Sequence, residues 1–127
     1  MLAYTAHTDY VTVTVRPVYL DARSDMINSR FVFGYYVRIE NEGLHEVQLL
    51  RRHWRISDAN GHVYEVEGEG VVGLQPVINA GSAHEYSSYC VLETFQGSME
   101  GTYLMERADG ARFRAVIPRF SLKAAVN

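Results

Sequence analysis

Three groups of residues in this chain have the type and spacing to do chemistry. The first is Gly68-Glu69-Gly70-Val71-Val72-Gly73. It matches G-x-G-x-x-G, the spacing with which a phosphate-binding loop turns backbone N–H groups toward a pyrophosphate. The second is Arg51, His53 and Arg55. Alternate residues of a strand share a face, and with Arg38 of the preceding strand they make a basic patch able to hold carboxylate or phosphate, which Arg grips bidentately. The third is His53 and His62, set to approach each other across an Asn60-Gly61 turn with Asp58 and Glu65 nearby. That grouping suits a weak transition-metal or magnesium site. Solvent-facing polar residues are its plainer reading, because none of the five histidines has the i, i+4 spacing of a metal-binding pair. No metal ligand is assigned. Cys90 becomes a nucleophile only with a general base beside it, which the sequence does not place. A buried thiol is its plainer reading, as a core ring is for Trp54.

The glycine segment fails the other requirements of a nucleotide loop. A dinucleotide fingerprint must run into a helix whose N-terminus holds the phosphates. This one runs into Leu74-Gln75-Pro76-Val77-Ile78-Asn79-Ala80-Gly81, where Pro76 and Gly81 leave no room for a helix. No Lys-Ser or Lys-Thr follows, so it is not a Walker loop. Glu69 would put a carboxylate inside the cradle. The alternative is a glycine-rich crossover between two sheets, with Val71 and Val72 anchoring it to the core and Gly68, Gly70 and Gly73 supplying positive φ or close approach. An exposed loop of this kind also serves as an anion-binding or partner-binding surface.

The elements around these groups read as strands. Val11, Val13 and Val15 alternate with Thr12, Thr14 and Arg16, the period of a half-buried strand. Pro17 marks a bulge or an edge. Phe31, Phe33, Tyr35, Val37 and Ile39 line a second strand. A third runs from about Glu46 to Ser57, with Leu50, Trp54 and Ile56 on one face and Arg52 interrupting it. Asn60-Gly61 makes a hairpin to a strand over His62 to Glu67. Ala83 to Leu92 puts His84, Tyr86, Ser88 and Cys90 on one face. Met99, Tyr103 and Met105 line another strand, Ala108-Asp109-Gly110 turns the chain, and Phe113 to Leu122 closes it, with Pro118 at an edge or bend. Seven antiparallel strands with frequent turns predict an all-β, immunoglobulin- or fibronectin type III-like sandwich. An OB-type barrel is the second choice.

Composition sets the outer bounds. The 127 residues fit one domain, with a core over about residues 8–122. A net charge of -3 argues against nucleic acid or an anionic membrane as partner. The basic residues are eleven Arg and one Lys. Arg favours fixed bidentate pairing, and a genome-wide codon bias produces the same skew. No apolar run approaches the roughly 20 residues of a membrane helix, and Met1 to His7 lacks the features of a signal peptide. The single cysteine fits a reducing cytoplasm.

The run from Gln48 to Pro76 closely resembles the bacterial ApaG family, also called CorD. Two parts of it carry the resemblance together: Arg52-His53-Trp54-Arg55-Ile56-Ser57-Asp58-Ala59-Asn60-Gly61, and Glu65-Val66-Glu67-Gly68-Glu69-Gly70-Val71-Val72-Gly73-Leu74-Gln75-Pro76. Tyr86 to Leu92 and Gly97 to Met105 extend it. The chain departs from the family pattern at Ala80-Gly81, Ser88-Tyr89-Cys90 and Thr94-Phe95, all turn and strand positions. The resemblance implies a fibronectin-type sandwich, a link to cobalt and magnesium resistance, and a protein-binding role inferred from relatives used as modules in larger proteins. It carries over no catalytic residue. The sequence therefore predicts a non-catalytic interaction module without a cofactor, its partner an unidentified protein. Weak nucleotide or polyphosphate contact at Gly68, Gly70 and Gly73 is the alternative. An edge strand offers a route to a homodimer.

Overall fold

A computed structural model describes residues 2–125. The described residues form nine strands: β1 (Tyr4–Thr8), β2 (Val11–Tyr19), β3 (Phe31–Asn41), β4 (Val47–Asp58), β5 (Val63–Glu69), β6 (Val77–Ile78), β7 (Ala83–Leu92), β8 (Gln96–Arg107) and β9 (Arg112–Lys123). They make two antiparallel sheets. One has the order β1-β2-β3-β7; the other runs β5-β4-β8-β9, with β6 paired to β4 in line with β5. The sheets share no strand, so the architecture is a sandwich and not a barrel. The only helical element among the described residues is a single 3-10 turn at Asp21–Arg23. Among the described residues no helix is long and apolar enough to cross a membrane.

Alternation explains most of the core. Val11, Val13 and Val15 of β2, and Phe33, Tyr35, Val37 and Ile39 of β3, point inward from the first sheet. Leu49, Trp54, Met99, Tyr103, Met105, Ile117 and Phe120 meet them from the second. Trp54 is 3% exposed and sits at the centre of an aromatic cluster. Its ring lies 5.3 Å from Tyr35 across the sandwich, 5.9 Å from Phe120 and 6.4 Å from Tyr103. Such tilted and edge-on pairs add about 0.5–1.5 kcal/mol each beyond area burial.

The two prolines inside strands sit where a ladder bond is dispensable. Pro17 pairs with Tyr35 of β3, but the β1 ladder reaches only as far as Val15, so its other side has no strand partner among the described residues. Pro118 falls where the β8–β9 register slips, between Ile117 and Phe120, the bulge that a missing N–H favours. Both hairpin glycines close three-residue loops. In Ala59–Gly61 and Ala108–Gly110 only the glycine has positive φ, 84° and 87°, so each is a type I turn followed by a left-handed residue. The two-positive-φ turn that Asn-Gly signals is not formed.

Several sequence expectations need correction. Nine strands replace seven. β1 was hidden because its inward residues are Tyr4, Ala6 and Thr8, a weak apolar signal; β6 is two residues long. The third sequence strand, β4, carries a bulge at Leu50, where the register with β8 steps from Leu49↔Met105 to Arg51↔Leu104. One extra residue reverses the alternation. Leu49 is therefore wholly buried and Leu50 only half-buried, although parity alone groups Leu50 with Trp54. Away from the bulge, one side of the sandwich is closed: β1 and β2 pack against β9, and Val116 N–H donates to Thr8 Oγ1 at 3.0 Å. On the other side β5 and β7 end their sheets.

The bulge makes a prediction. L49A should cost about 2–5 kcal/mol, the range for a buried leucine, and L50A less than half as much, read as urea unfolding midpoints. The reverse order would place the bulge elsewhere.

Candidate functional site

The glycine segment is not the crossover between sheets. Gly68 lies within β5, and the chain is still on the edge of β4 when β6 forms. The passage to the other sheet comes later, at Asn79–Ser82, where Gly81 N–H donates to Asn41 O at 2.8 Å and Asn41 N–H to Ser82 O at 2.9 Å. Between β5 and β6 the chain makes a two-residue hairpin. Val71 N–H donates to Leu74 O at 2.8 Å, and Leu74 N–H returns to Val71 O at 3.0 Å. The central residues Val72 and Gly73 have φ of 48° and 77°, a type I′ turn. Val71 anchors the hairpin in the core at 1% exposure, but Val72 is exposed. A β-branched residue in the left-handed region costs about 1–2 kcal/mol.

This geometry consumes the donors that a phosphate cradle needs. Gly70 N–H donates to Leu50 O at 2.9 Å, and those of Val71 and Leu74 bond each other's carbonyls. Between Gly70 and Leu74 only Val72 and Gly73 keep N–H groups free of such bonds. Leu50 O, turned toward β5 by the bulge, also accepts Gln75 Nε2 at 2.9 Å. Gly70 is required by contact as well as by its φ of 63°, because a Cβ there would lie 2.0 Å from Leu74 O.

Gly68 has a different reason. Its φ is not positive, but a Cβ would lie 2.8 Å from both terminal nitrogens of Arg52. The missing side chain lets the Arg52 guanidinium lie over the β5 backbone and donate to Glu69 O at 3.0 Å and Gly70 O at 3.1 Å. The residue that seemed to interrupt the apolar face of the strand is thus the clamp that fixes the end of β5. Its signal in the sequence is an arginine at inward parity opposite a glycine, visible only once the register pairs Arg52 with Gly68.

Arg51, His53 and Arg55 do share the outer face of β4, as alternation predicts. Their neighbours change the meaning of that face. In register, Glu69 stands opposite Arg51, Glu67 opposite His53 and Glu65 opposite Arg55, and Glu100 of β8 flanks Arg55 on its other side. His53 Nε2 lies 3.4 Å from Glu65 and 3.7 Å from Glu67. The face is a band of mixed charge and not a basic patch. Arg38 does not join it. It lies on β3 in the other sheet, paired with Glu85 and, at 2.9 Å, with Glu40.

His53 and His62 are not brought together. The register places His53 opposite Glu67, so roughly five residues of strand, about 17 Å, separate it from His62. Among the described residues no three His, Cys, Asp or Glu side chains converge as metal ligands. His62 instead meets Asp58, whose side chain is 2% exposed. Burial pushes the Asp58 carboxyl up, but backbone N–H groups of His62 at 3.0 Å and Asn60 at 2.9 Å, with the adjacent His62 ring, outweigh it and hold the group below its ordinary range. Asp58 is a turn-forming carboxylate. Burial pushes the Cys90 thiol up to about 12, which leaves it protonated and unreactive at neutral pH. Tyr86 and Tyr103 share a hydroxyl–hydroxyl hydrogen bond between the sheets, and burial raises both phenols.

The free edge of β5 is a continuous exposed surface. The bonds Asp58 N–H to His62 O and Gly70 N–H to Leu50 O bracket the β4–β5 ladder and set its alternation. Tyr64, Val66 and Gly68 bond to β4, while Val63, Glu65, Glu67 and Glu69 turn their N–H and C=O groups to the free edge. The whole strand is exposed apart from Gly68, including Val63, Tyr64 and Val66.

Comparison with known proteins bears on the family and the fold. The model of the ApaG domain matches residues 21–107. The chain is 50% identical to Protein ApaG of Brucella abortus over 119 residues, covering 94% of this chain and 92% of that one. It is 53% identical to Protein ApaG of Paramagnetospirillum magneticum over the same shares. The crystal structure of an ApaA protein from Bordetella pertussis superposes with a TM-score of 0.87 at 43% identity, over 89% of this chain and 92% of that one.

Two predictions follow from the ionisable groups. The folded Asp58 carboxyl lies below its ordinary value of 3.8, so its contribution to stability is complete above that pH and lost as pH falls through the folded value. D58N should therefore lose less stability than the wild type between about pH 6 and about pH 2.5, by urea midpoints. Native Cys90 should react with Ellman's reagent far more slowly than the unfolded chain, and fast native labelling would contradict its burial.

Proposed function

This chain belongs to the ApaG family, and from that premise we propose that it is a non-catalytic interaction module whose partner is another protein. The observation that supports the reading is how the polar groups are employed. Those with chemical potential are engaged inside the fold: Asp58 by the Ala59–Gly61 turn, Tyr86 and Tyr103 by each other, and Arg52 by the carbonyls of Glu69 and Gly70. The edge of β5, by contrast, offers unpaired backbone groups along an exposed strand, the form in which sheet proteins add a partner's strand.

In the same proposal the module acts in the cytoplasm. The family's link to cobalt and magnesium resistance then runs through the bound protein, in keeping with the separation of His53 from His62. No cofactor enters this reading, and neither nucleic acid nor membrane is a partner.

A second reading, weak nucleotide or polyphosphate contact at Gly68–Gly73, has one observation in its favour. Val72 is strained and exposed, and its N–H and that of Gly73 are left over by the hairpin; strained residues recur at ligand clamps. Two N–H groups beside the Glu69 carboxylate make a poor phosphate site, so the protein-binding reading ranks above it.

The test has two arms. Affinity capture from the source lysate should recover a protein with the wild type. Failure to recover any protein with the wild type would count against an interaction module. Titration with ATP and with inorganic tripolyphosphate should leave the amide resonances of residues 68–73 unmoved at about 5 mM, where a 1 mM site would be mostly filled. Saturable shifts there that V72D abolishes would favour the second reading.

A further inference from the structure

The free edge of β5 carries a charge pattern that selects its occupant. Seen along the strand, Val63, Glu65, Glu67 and Glu69 occupy the outer face, and Tyr64, Val66 and Gly68 the inner face. The Glu65 and Glu67 side chains are about two-thirds exposed, so three carboxylates at alternate positions line the edge, balanced on the β4 side only by Arg51, His53 and Arg55. The inner face is apolar. Tyr64 lies opposite Ile56 and Val66 opposite Trp54, yet both remain exposed because no strand continues the sheet beyond them.

A second copy of this chain is the wrong occupant. Antiparallel pairing of β5 with itself about a two-fold axis keeps residues of one face together. Centred on Val66 it sets Glu65 against Glu67 twice. Centred on Glu65 it sets Glu65 against itself, and centred on Glu67 it sets Glu67 against itself and Glu65 against Glu69. Every register that overlaps five or more residues therefore opposes carboxylates, which destabilises a strand pair. Acidic edges are a device against self-association.

We propose that β5 accepts an extended segment of a partner protein in which Lys or Arg alternates with apolar residues. Its basic side chains would face Glu65 and Glu67, and its apolar ones would lie over Tyr64 and Val66 and continue the core outward from Trp54. Backbone bonds would form to Val63, Glu65 and Glu67. Arg52 already holds the carbonyls of Glu69 and Gly70, so the ladder stops there and the segment is about five residues long, an ordinary strand length. This deepens the interaction-module reading and rests on it.

The probe is a synthetic heptapeptide of alternating arginine and valine, with its glutamate–valine counterpart and a block-ordered isomer as controls. Added to the whole chain, the alternating basic peptide should slow hydrogen exchange at the amides of Val63, Glu65 and Glu67, with an affinity that falls as salt rises. E65P removes an N–H that faces solvent and leaves the β4 ladder intact. It should weaken binding roughly tenfold or more, about the value of one lost ladder bond plus the steric block. E65K/E67K keeps the strand and should exchange the preference to the glutamate–valine peptide. Equal binding of basic, acidic and block-ordered peptides would overturn the proposal, as would protection on β7 instead of β5 or a concentration-dependent dimer that E65P abolishes. A protein captured from lysate that binds E65P as well as wild type would keep the interaction-module reading and remove β5 from it. Capture of nothing, with peptide protection intact, would do the opposite.

Discussion

The extra residue at Leu50 is the constraint on which the rest of this sandwich depends. β4 is the hub of its sheet, bonded to β5 and β6 on one edge and to β8 on the other. Without the bulge, a strand that buries Val47 and Leu49 would turn Trp54 to solvent. With it, both halves of β4 face the core, Leu49 through one phase of the alternation and Trp54 through the other. The same irregularity turns the Leu50 carbonyl away from β8 and toward the β5 edge. That carbonyl takes Gly70 N–H and Gln75 Nε2, and so ties down the excursion between β5 and β6 at the place where the strand itself is kinked. A packing requirement and a loop anchor are thereby met by one residue.

The glycines of the excursion have three separate purposes. Gly68 makes room for the Arg52 guanidinium, Gly70 turns the backbone against Leu74 O, and Gly73 completes a two-residue turn. None of these converges N–H groups on a common point. The spacing of a phosphate loop arises here from the demands of a clamp, a corner and a hairpin in succession. That explains how the motif stands where no helix follows it.

Much of the fold was legible because alternation is a strong signal on half-buried strands. Val11 to Val15, Phe31 to Ile39 and Met99 to Met105 each declared their inward faces correctly, and Trp54 declared itself as core. What stayed hidden depended on register. The phase reversal at Leu50 is invisible to a parity count, because the count assumes one residue per step. The pairing of each β4 cation with a β5 carboxylate needed the length of the Ala59–Gly61 loop, which fixes which residues face each other. A two-residue turn would have moved every partner. The same loop length separates His53 from His62. The sequence also placed Val72 with Val71 as an anchor; the hairpin admits only one of two adjacent residues to the core, and the other must point away.

The closed flank of the sandwich has a consequence of its own. Because β9 lies against β1 and β2, with Val116 held by Thr8, neither sheet can be lengthened there. Strands can be added only on the flank where β5 and β7 end. An assembly that grows without limit needs two compatible edges on opposite flanks, so that each unit both receives and donates. Among the described residues the uncovered edges, those of β5 and β7, lie on one flank alone, since β1 and β9 pack against each other. It can terminate a row of strands but cannot propagate one, and each molecule that docks by its edge finishes the structure it joins.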